Sequence, residues 1–218
     1  MKITRLHFLA ACAVALTGCQ TTVPVARAPR IAVPRTAHVI RVDGHLDEAP
    51  WRRAPLVSRF VIAGAPMRTP QPTRAWLAWS ADALCFAFNV RDAALVTKPA
   101  SANERDVDPQ DRVEIFLWSG RARDGYHCIE VSASGAVHDY TARFYRRFDD
   151  AWSPAGLRTA VRRTPSGYAV EGMIPRTAME AMGFHLRPGE TLRCGLFRAD
   201  FRPDAPDAPA WITWVSEI

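Results

Sequence analysis

Hydrophobic and polar residues alternate with a period of two through most of the chain, the pattern of half-buried strands. Residues 74–79 and 84–90 alternate on either side of Ser80-Ala81-Asp82-Ala83 and predict a hairpin. In the second of these strands Leu84, Phe86, Phe88 and Val90 share a core face. Cys85, Ala87 and Asn89 share the other, small and polar, with room for something to lie on it. Residues 112–118 send Val113, Ile115 and Leu117 inward and Glu114, Phe116 and Trp118 to the opposite face. Residues 126–132 place Ile129 and Val131 inward, Cys128 and Glu130 opposite, and end at Ser134-Gly135. Further strands are expected at 38–42, 157–163, 168–174, 192–200 and 210–215. Two short helical pieces interrupt them. Residues 46–52 carry Asp47 as a cap and Trp51 toward the core, and residues 175–182 close at Gly183. Residues 97–110 read as a charged loop. Regular strand spacing with few helices predicts an all-β fold, an antiparallel β-sandwich with one or two short helices. No internal repeat is visible.

The first residues follow another logic. Lys2 and Arg5 precede an apolar run, 6–16, too short to span a bilayer. Leu16-Thr17-Gly18-Cys19 then matches the bacterial lipobox. Residues 1–18 are therefore expected to be a lipoprotein signal peptide, with Cys19 lipidated by a diacylglycerol and its freed amine acylated. Two or three chains anchor stably where one does not. The alternative is an ordinary secretory signal with a chance cysteine. Gln20, rather than Asp, after the cysteine points to the outer membrane. Residues 19–36, the lipidated Cys and a Pro/Ala-rich stretch, read as a tether. Residues 37–218 remain as the folded domain.

Composition narrows the classes. Hydrophobic residues at 48% and charged residues at 23% exclude wholesale disorder and a multi-span membrane protein. The formal charge of +6 falls to +4 once Lys2 and Arg5 leave, and its scatter as arginine does not point to nucleic acid. Cys85, Cys128 and Cys194 remain in the domain, an odd number for an oxidising compartment. One pair plus one thiol, or three buried free thiols, both satisfy the pattern. No Cys/His spacing suits zinc.

Several segments resemble carbohydrate-binding module family 9. Val42-Asp43-Gly44-His45-Leu46-Asp47-Glu48 with Trp51 resembles its opening, and residues 83–92 its central strand. Asp111-Arg112-Val113-Glu114-Ile115-Phe116-Leu117 is similar to its most recognisable motif. Tyr168-Ala169-Val170-Glu171, Ile174-Pro175 and Trp211-Ile212-Thr213-Trp214 follow in order. The resemblance spans about residues 38–215. It implies a sandwich that binds sugars without catalysis, often beside glycan-degrading enzymes, sometimes with structural calcium. Two departures stand out. The family's sugar-stacking aromatic three positions before the motif's first Asp is Asp108 here. The second aromatic, beyond the Trp214 region, has no counterpart. Only Glu114 carries over as a polar ligand contact.

The candidate saccharide site is thus the face bearing Glu114, Phe116 and Trp118, with Glu130 and Arg198 as lesser polar contacts and Asn89 nearby. Sugar recognition needs an aromatic face against ring C–H groups and polar groups against hydroxyls. Competing arrangements are that loop 97–110 or helix 176–182 covers Phe116 and Trp118, or that Glu114 pairs with Arg112 or Arg198. Glu171 reads as structural. No cofactor is expected; calcium is the ion that Asp92, Asp106, Asp108 and Asp111 would hold if they converged. Glu114 and Glu130 are the formal pair for glycoside hydrolysis, but no hydrolase motif accompanies them, so no enzyme is expected. His127, His138, Met67 and Met173 are the candidate haem ligands, without a telling spacing. The expected role is non-catalytic carbohydrate binding by an outer-membrane lipoprotein of the bacterial cell envelope, linked to carbohydrate catabolism. Its partners would be an envelope glycan, the membrane through Cys19, and a partner enzyme. The alternative is an interaction or scaffold domain that has lost the sugar site.

Overall fold

A computed structural model describes residues 29–65, 67–99, 101–118, 125–143 and 147–214. The signal peptide, Cys19 and the start of the tether lie outside the described residues. So does Val215 at the end of the last expected strand.

Two antiparallel sheets face one another. The four-stranded sheet runs β2 (Thr73–Trp79), β3 (Ala83–Arg91), β9 (Gly167–Pro175), β8 (Arg158–Thr164). The seven-stranded sheet runs β1 (Val61–Ile62), β11 (Ala205–Thr213), β10 (Arg193–Arg202), β4 (Arg112–Trp118), β5 (Tyr126–Ser132), β6 (Val137–Arg143), β7 (Arg147–Asp149). The core lies between them. Leu84, Phe86, Phe88 and Val90 of β3 meet Val113, Ile115 and Leu117 of β4, with Ile129, Val131, Leu196 and Ile212. This is the face division that period-two alternation dictates. Phe86 has room because Gly172 stands directly across from it; a Cβ at Gly172 would lie 2.0 Å from the ring.

The small outer face of β3 is covered by the chain's own N-terminal segment. Ile40 and Trp51 pack on Ala78, Ala83, Cys85 and Ala87. Residues 38–42, expected as a strand, form none. They lie across a sheet face instead of along its edge, so no neighbouring strand meets their amides. Edge pairing comes earlier, within the stretch read as tether. Thr36 N donates to Trp79 O (2.7 Å), Trp79 N donates to Pro34 O (3.0 Å), and Ile31 and Val33 pack on the core.

The first helix, α1, is Ala49–Arg53, with Glu48 and not Asp47 at its N-cap, and no side-chain cap. Trp51 is buried as expected, and its indole N–H donates to Glu171 Oε1 (2.7 Å). Glu171 Oε2 accepts the amides of Asp43 (3.1 Å) and Gly44 (2.8 Å), so the structural reading of Glu171 holds. The second helix, α2 (Arg176–Ala181), buries Ala178 and Met179 in the core. Cys85, Cys128 and Cys194 are all free thiols. Burial pushes Cys85 and Cys194 up to about 12, so neither is a ready nucleophile.

Candidate functional site

The face of the seven-stranded sheet turned away from the core follows from the strand register. One row is Trp211–Ala199–Arg112–Ser132; the next is Thr213–Phe197–Glu114–Glu130–His138. Then come Gly195–Phe116–Cys128–Tyr140 and Arg193–Trp118–Tyr126–Ala142–Phe148. Phe116 and Trp118 therefore do share a face with Glu114 and Glu130. Arg198 does not. It points into the sandwich, fully buried, and bonds Asp92 Oδ2 (2.9 Å) and Asp200 Oδ1 (2.6 Å). As a sugar contact Arg198 is corrected: odd-numbered β10 residues face outward, and it is even.

Glu114 and Glu130 are corrected too. Both are buried, at 3% and 4% exposure, and both face one guanidinium. Arg112 Nε donates to Glu114 Oε1 (2.8 Å) and lies 2.6 Å from Glu130 Oε2. An arginine hydrogen also goes to the Asp108 carbonyl oxygen. Tyr140 donates to Glu130 Oε1 (3.1 Å). Two buried acids thus share one cation. Burial raises both carboxyl pKa values, against the pull of Arg112, and for Glu114 the like charge of Glu130 adds to the rise. Of the two candidate partners for Glu114, Arg112 is the one it finds. The two side chains stand two residues apart on one strand and so on one face.

The loop 97–110 contains a 3-10 turn, Glu104–Val107, that packs on β5 and β6. It covers the acidic end of the face through Asp108, whose Oδ1 meets His138 Nδ1 (3.0 Å). Helix α2 touches β3 and β9, away from the strip.

The aromatic end is less covered. Phe116, Trp118, Tyr126 and Phe197 are half-buried. Phe116 meets Phe197 at 5.1 Å and Tyr126 at 5.5 Å between ring centroids. Arg193 lies 5.1 Å over Trp118. Trp211, at the other end, is 41% exposed and rests on Arg112, 5.2 Å from ring centroid to guanidinium carbon. Phe197 and Trp211 belong to this face, yet sequence reading did not single them out as site residues. Parity along β10 and β11 was the available signal. Two surface hollows, one of about 540 Å³ beside Arg41, Asp43 and Glu48 and one of about 220 Å³ beside Pro34 and Arg53, lie on the N-terminal segment and not against this strip.

The profile of the carbohydrate family 9 binding domain-like family matches residues 42–216. The chain belongs to that family. Carbohydrate family 9 modules bind without catalysis, so the chain is a binding domain and not an enzyme. No curated protein matches the sequence. Among solved structures, a candidate carbohydrate-binding protein from Bacteroides uniformis ATCC 8492 superposes with a TM-score of 0.68 at 14% identity, covering 88% of this chain and 91% of that one. A family 9 module from Caldicellulosiruptor kristjanssonii bound to cellotriose gives 0.57 at 18% identity, over 86% and 88%. The same organism's module bound to glucose gives 0.51 at 19%, over 84% and 90%. These likenesses establish the sandwich fold.

The four acidic residues considered for calcium do not share one site. Asp92 and Asp111 meet Asp200 inside the sandwich; Asp108 meets Glu130 and His138 outside it; Asp106 accepts from Ser101 in the loop. A third group, Asp43, Glu48 and Glu171, is already engaged with backbone amides and Trp51. The haem candidates are scattered as well. His127 stacks with Trp152, His138 is held by Asp108 and Asp150, Met173 packs under the N-terminal segment, and Met67 is 95% exposed.

Proposed function

We propose that this family 9 domain is a saccharide-binding module of a bacterial outer-membrane lipoprotein, anchored through lipid on Cys19. The observation that carries the reading is the aromatic strip: Phe197, Phe116, Tyr126 and Trp118 half-buried together on one sheet face, with Trp211 held flat by Arg112 at its end. Rings fixed by neighbours offer a preformed surface to sugar C–H groups, which matters because each such contact is small. Glu114 and Glu130 serve this surface from below, by holding Arg112 under Trp211, and not as ligand contacts. Membership of a carbohydrate-binding family, the lipobox and the Arg- and Pro-containing stretch after Cys19 support the rest of the reading. The anchored domain would keep an envelope glycan near the membrane or serve a partner enzyme in carbohydrate catabolism.

A second reading is favoured by one observation. The acid expected to meet sugar hydroxyls is sealed onto Arg112, which suits an interaction domain whose sugar site has closed. A glycan array with the soluble chain from residue 29 onward separates the two. A saccharide binder retains specific glycans and changes its tryptophan emission, and Trp118→Ala or Trp211→Ala removes both signals with little change in melting temperature. An interaction domain ignores the array and co-purifies with a protein.

A further inference from the structure

The carboxylate oxygens of Asp92, Asp111 and Asp200 lie within 4.8 Å of one another, between the sheets. A calcium ion gathers six to eight oxygens at about 2.3–2.6 Å. Here five of the six oxygens are already committed. Asp92 Oδ1 accepts from Ala94 N (2.8 Å) and Oδ2 from Arg198 Nη2 (2.9 Å). Asp111 Oδ1 accepts from Phe201 N (2.7 Å) and Oδ2 from Val96 N (2.5 Å). Asp200 Oδ1 accepts from Arg198 Nη2 (2.6 Å). The other arm of Arg198 donates to the carbonyl of Arg91 (3.0 Å) and reaches Thr73 Oγ1 at 3.5 Å. Two further polar atoms at this end of the core have no partner among the described residues, Arg198 Nε and the Tyr168 hydroxyl. The first can only donate, so it adds no ligand for a metal. A dication would have to share two carboxylates with a guanidinium less than 3 Å from their oxygens, in a low-dielectric interior where like charges repel most strongly.

We infer that Arg198 stands in this domain where a bound cation would otherwise be needed, making the carboxylate cage a cation-independent internal clamp. The clamp also reaches the outer face. Asp111 fixes the amide of Phe201 at the irregularity between Asp200 and Arg202, and the Phe201 ring lies 5.9 Å from the Arg112 guanidinium. The cage therefore positions the same arginine that supports Trp211, without a metal. The fit that the family resemblance raised for calcium fails on the donor set and the resident cation.

Thermal unfolding of the full chain, followed by circular dichroism, tests this without any saccharide. In EDTA, in excess calcium chloride and in excess magnesium chloride the melting temperature stays the same. A melting temperature lowered by EDTA, or raised by calcium and not by magnesium, overturns the inference. Arg198→Gln supplies the second arm. It keeps a donor but removes the charge, and its melting temperature in EDTA falls well below that of the parent. Failure of this variant to fold is that same loss in extreme form, whereas a variant as stable as the parent in EDTA overturns the inference.

Discussion

Removal of the Arg112 guanidinium isolates the two acids it serves. In Arg112→Met the methionine fills much of the aliphatic space under Trp211 but brings no charge. Glu114 and Glu130, directly opposite each other on β4 and β5, then face one another while buried. Breaking a buried ion pair by deleting one partner costs about 3–5 kcal/mol. For a domain of this size each kcal/mol moves the melting temperature by roughly 2–4 °C, so the expected drop is about 6–20 °C. The cost depends on pH in a definite sense. Both carboxyl groups already have raised pKa values, and without Arg112 they rise further. Protonation relieves the repulsion, so the deficit is largest near pH 8 and shrinks toward about pH 5. The double variant Arg112→Met/Glu130→Gln, with one acid left, recovers part of the loss. Arg105→Met, which removes a half-exposed partner of Asp150, changes stability by at most about 1 kcal/mol and serves as the control. Denaturant and thermal unfolding at both pH values measure all four proteins. A cost under about 1 kcal/mol for Arg112→Met, or a cost that grows toward acid, would refute the shared-cation account.

Other expectations follow from the same geometry. Glu171→Ala strands the Trp51 indole N–H and the amides of Asp43 and Gly44; at about 1–3 kcal/mol for each group left unsatisfied, it costs several kcal/mol, read by chemical denaturation, and frees the N-terminal segment to limited proteolysis. Gly172→Ala drives a methyl group into the Phe86 ring and costs at least about 1–3 kcal/mol, whereas Phe86→Leu with Gly172→Ala recovers part of it. The parent domain itself melts higher near pH 5 than near pH 8.5. Burial pushes Asp111 up to about 7 and Asp139 up to about 6; at His138 burial alone would lower the pKa, but Asp108, Glu130 and Asp150 raise it. Groups whose folded pKa lies above the unfolded value contribute stability that is complete below the unfolded value and lost as pH rises through the folded one. A melting temperature that climbs steadily across that interval contradicts the assignment.

Strand β4 was legible to the residue because its two faces differ sharply, aliphatic against charged and aromatic. Strand β6 was not. Its inward Asp139 and outward His138 are both polar, bonded to Ser153 and Asp108, so no alternation survives in the sequence. Strand β11 carries Pro206 and Pro209 and was expected only from residue 210. Among the described residues β1 pairs only with its end, at Ile212 and Thr213, so the prolines sit where no ladder bond is required of them. The site was half legible. Parity placed Glu114, Phe116 and Trp118 on one face, but exposure is set by what lies across strands: Glu130, Trp211 and a loop whose path depends on Asp108 and His138. Arg198 was misassigned for the same reason. Its partner Asp92 stands 106 residues away, just past the end of β3 in the other sheet, and only the folded chain brings them within 3 Å.

The way the polypeptide enters the sandwich governs how it would bear load. Tension applied at residue 29 meets first the hydrogen bonds that Trp79 makes with Val33, through its indole N–H, and with Pro34 and Thr36, through its backbone, a single rung at the margin of β2. Behind that rung stands a second stop, the carboxylate of Glu171 gripping the amides of Asp43 and Gly44. Peeling the rung pays out slack while the second stop and both sheets stay intact, so the chain's entry acts as a short shock absorber in series with the domain.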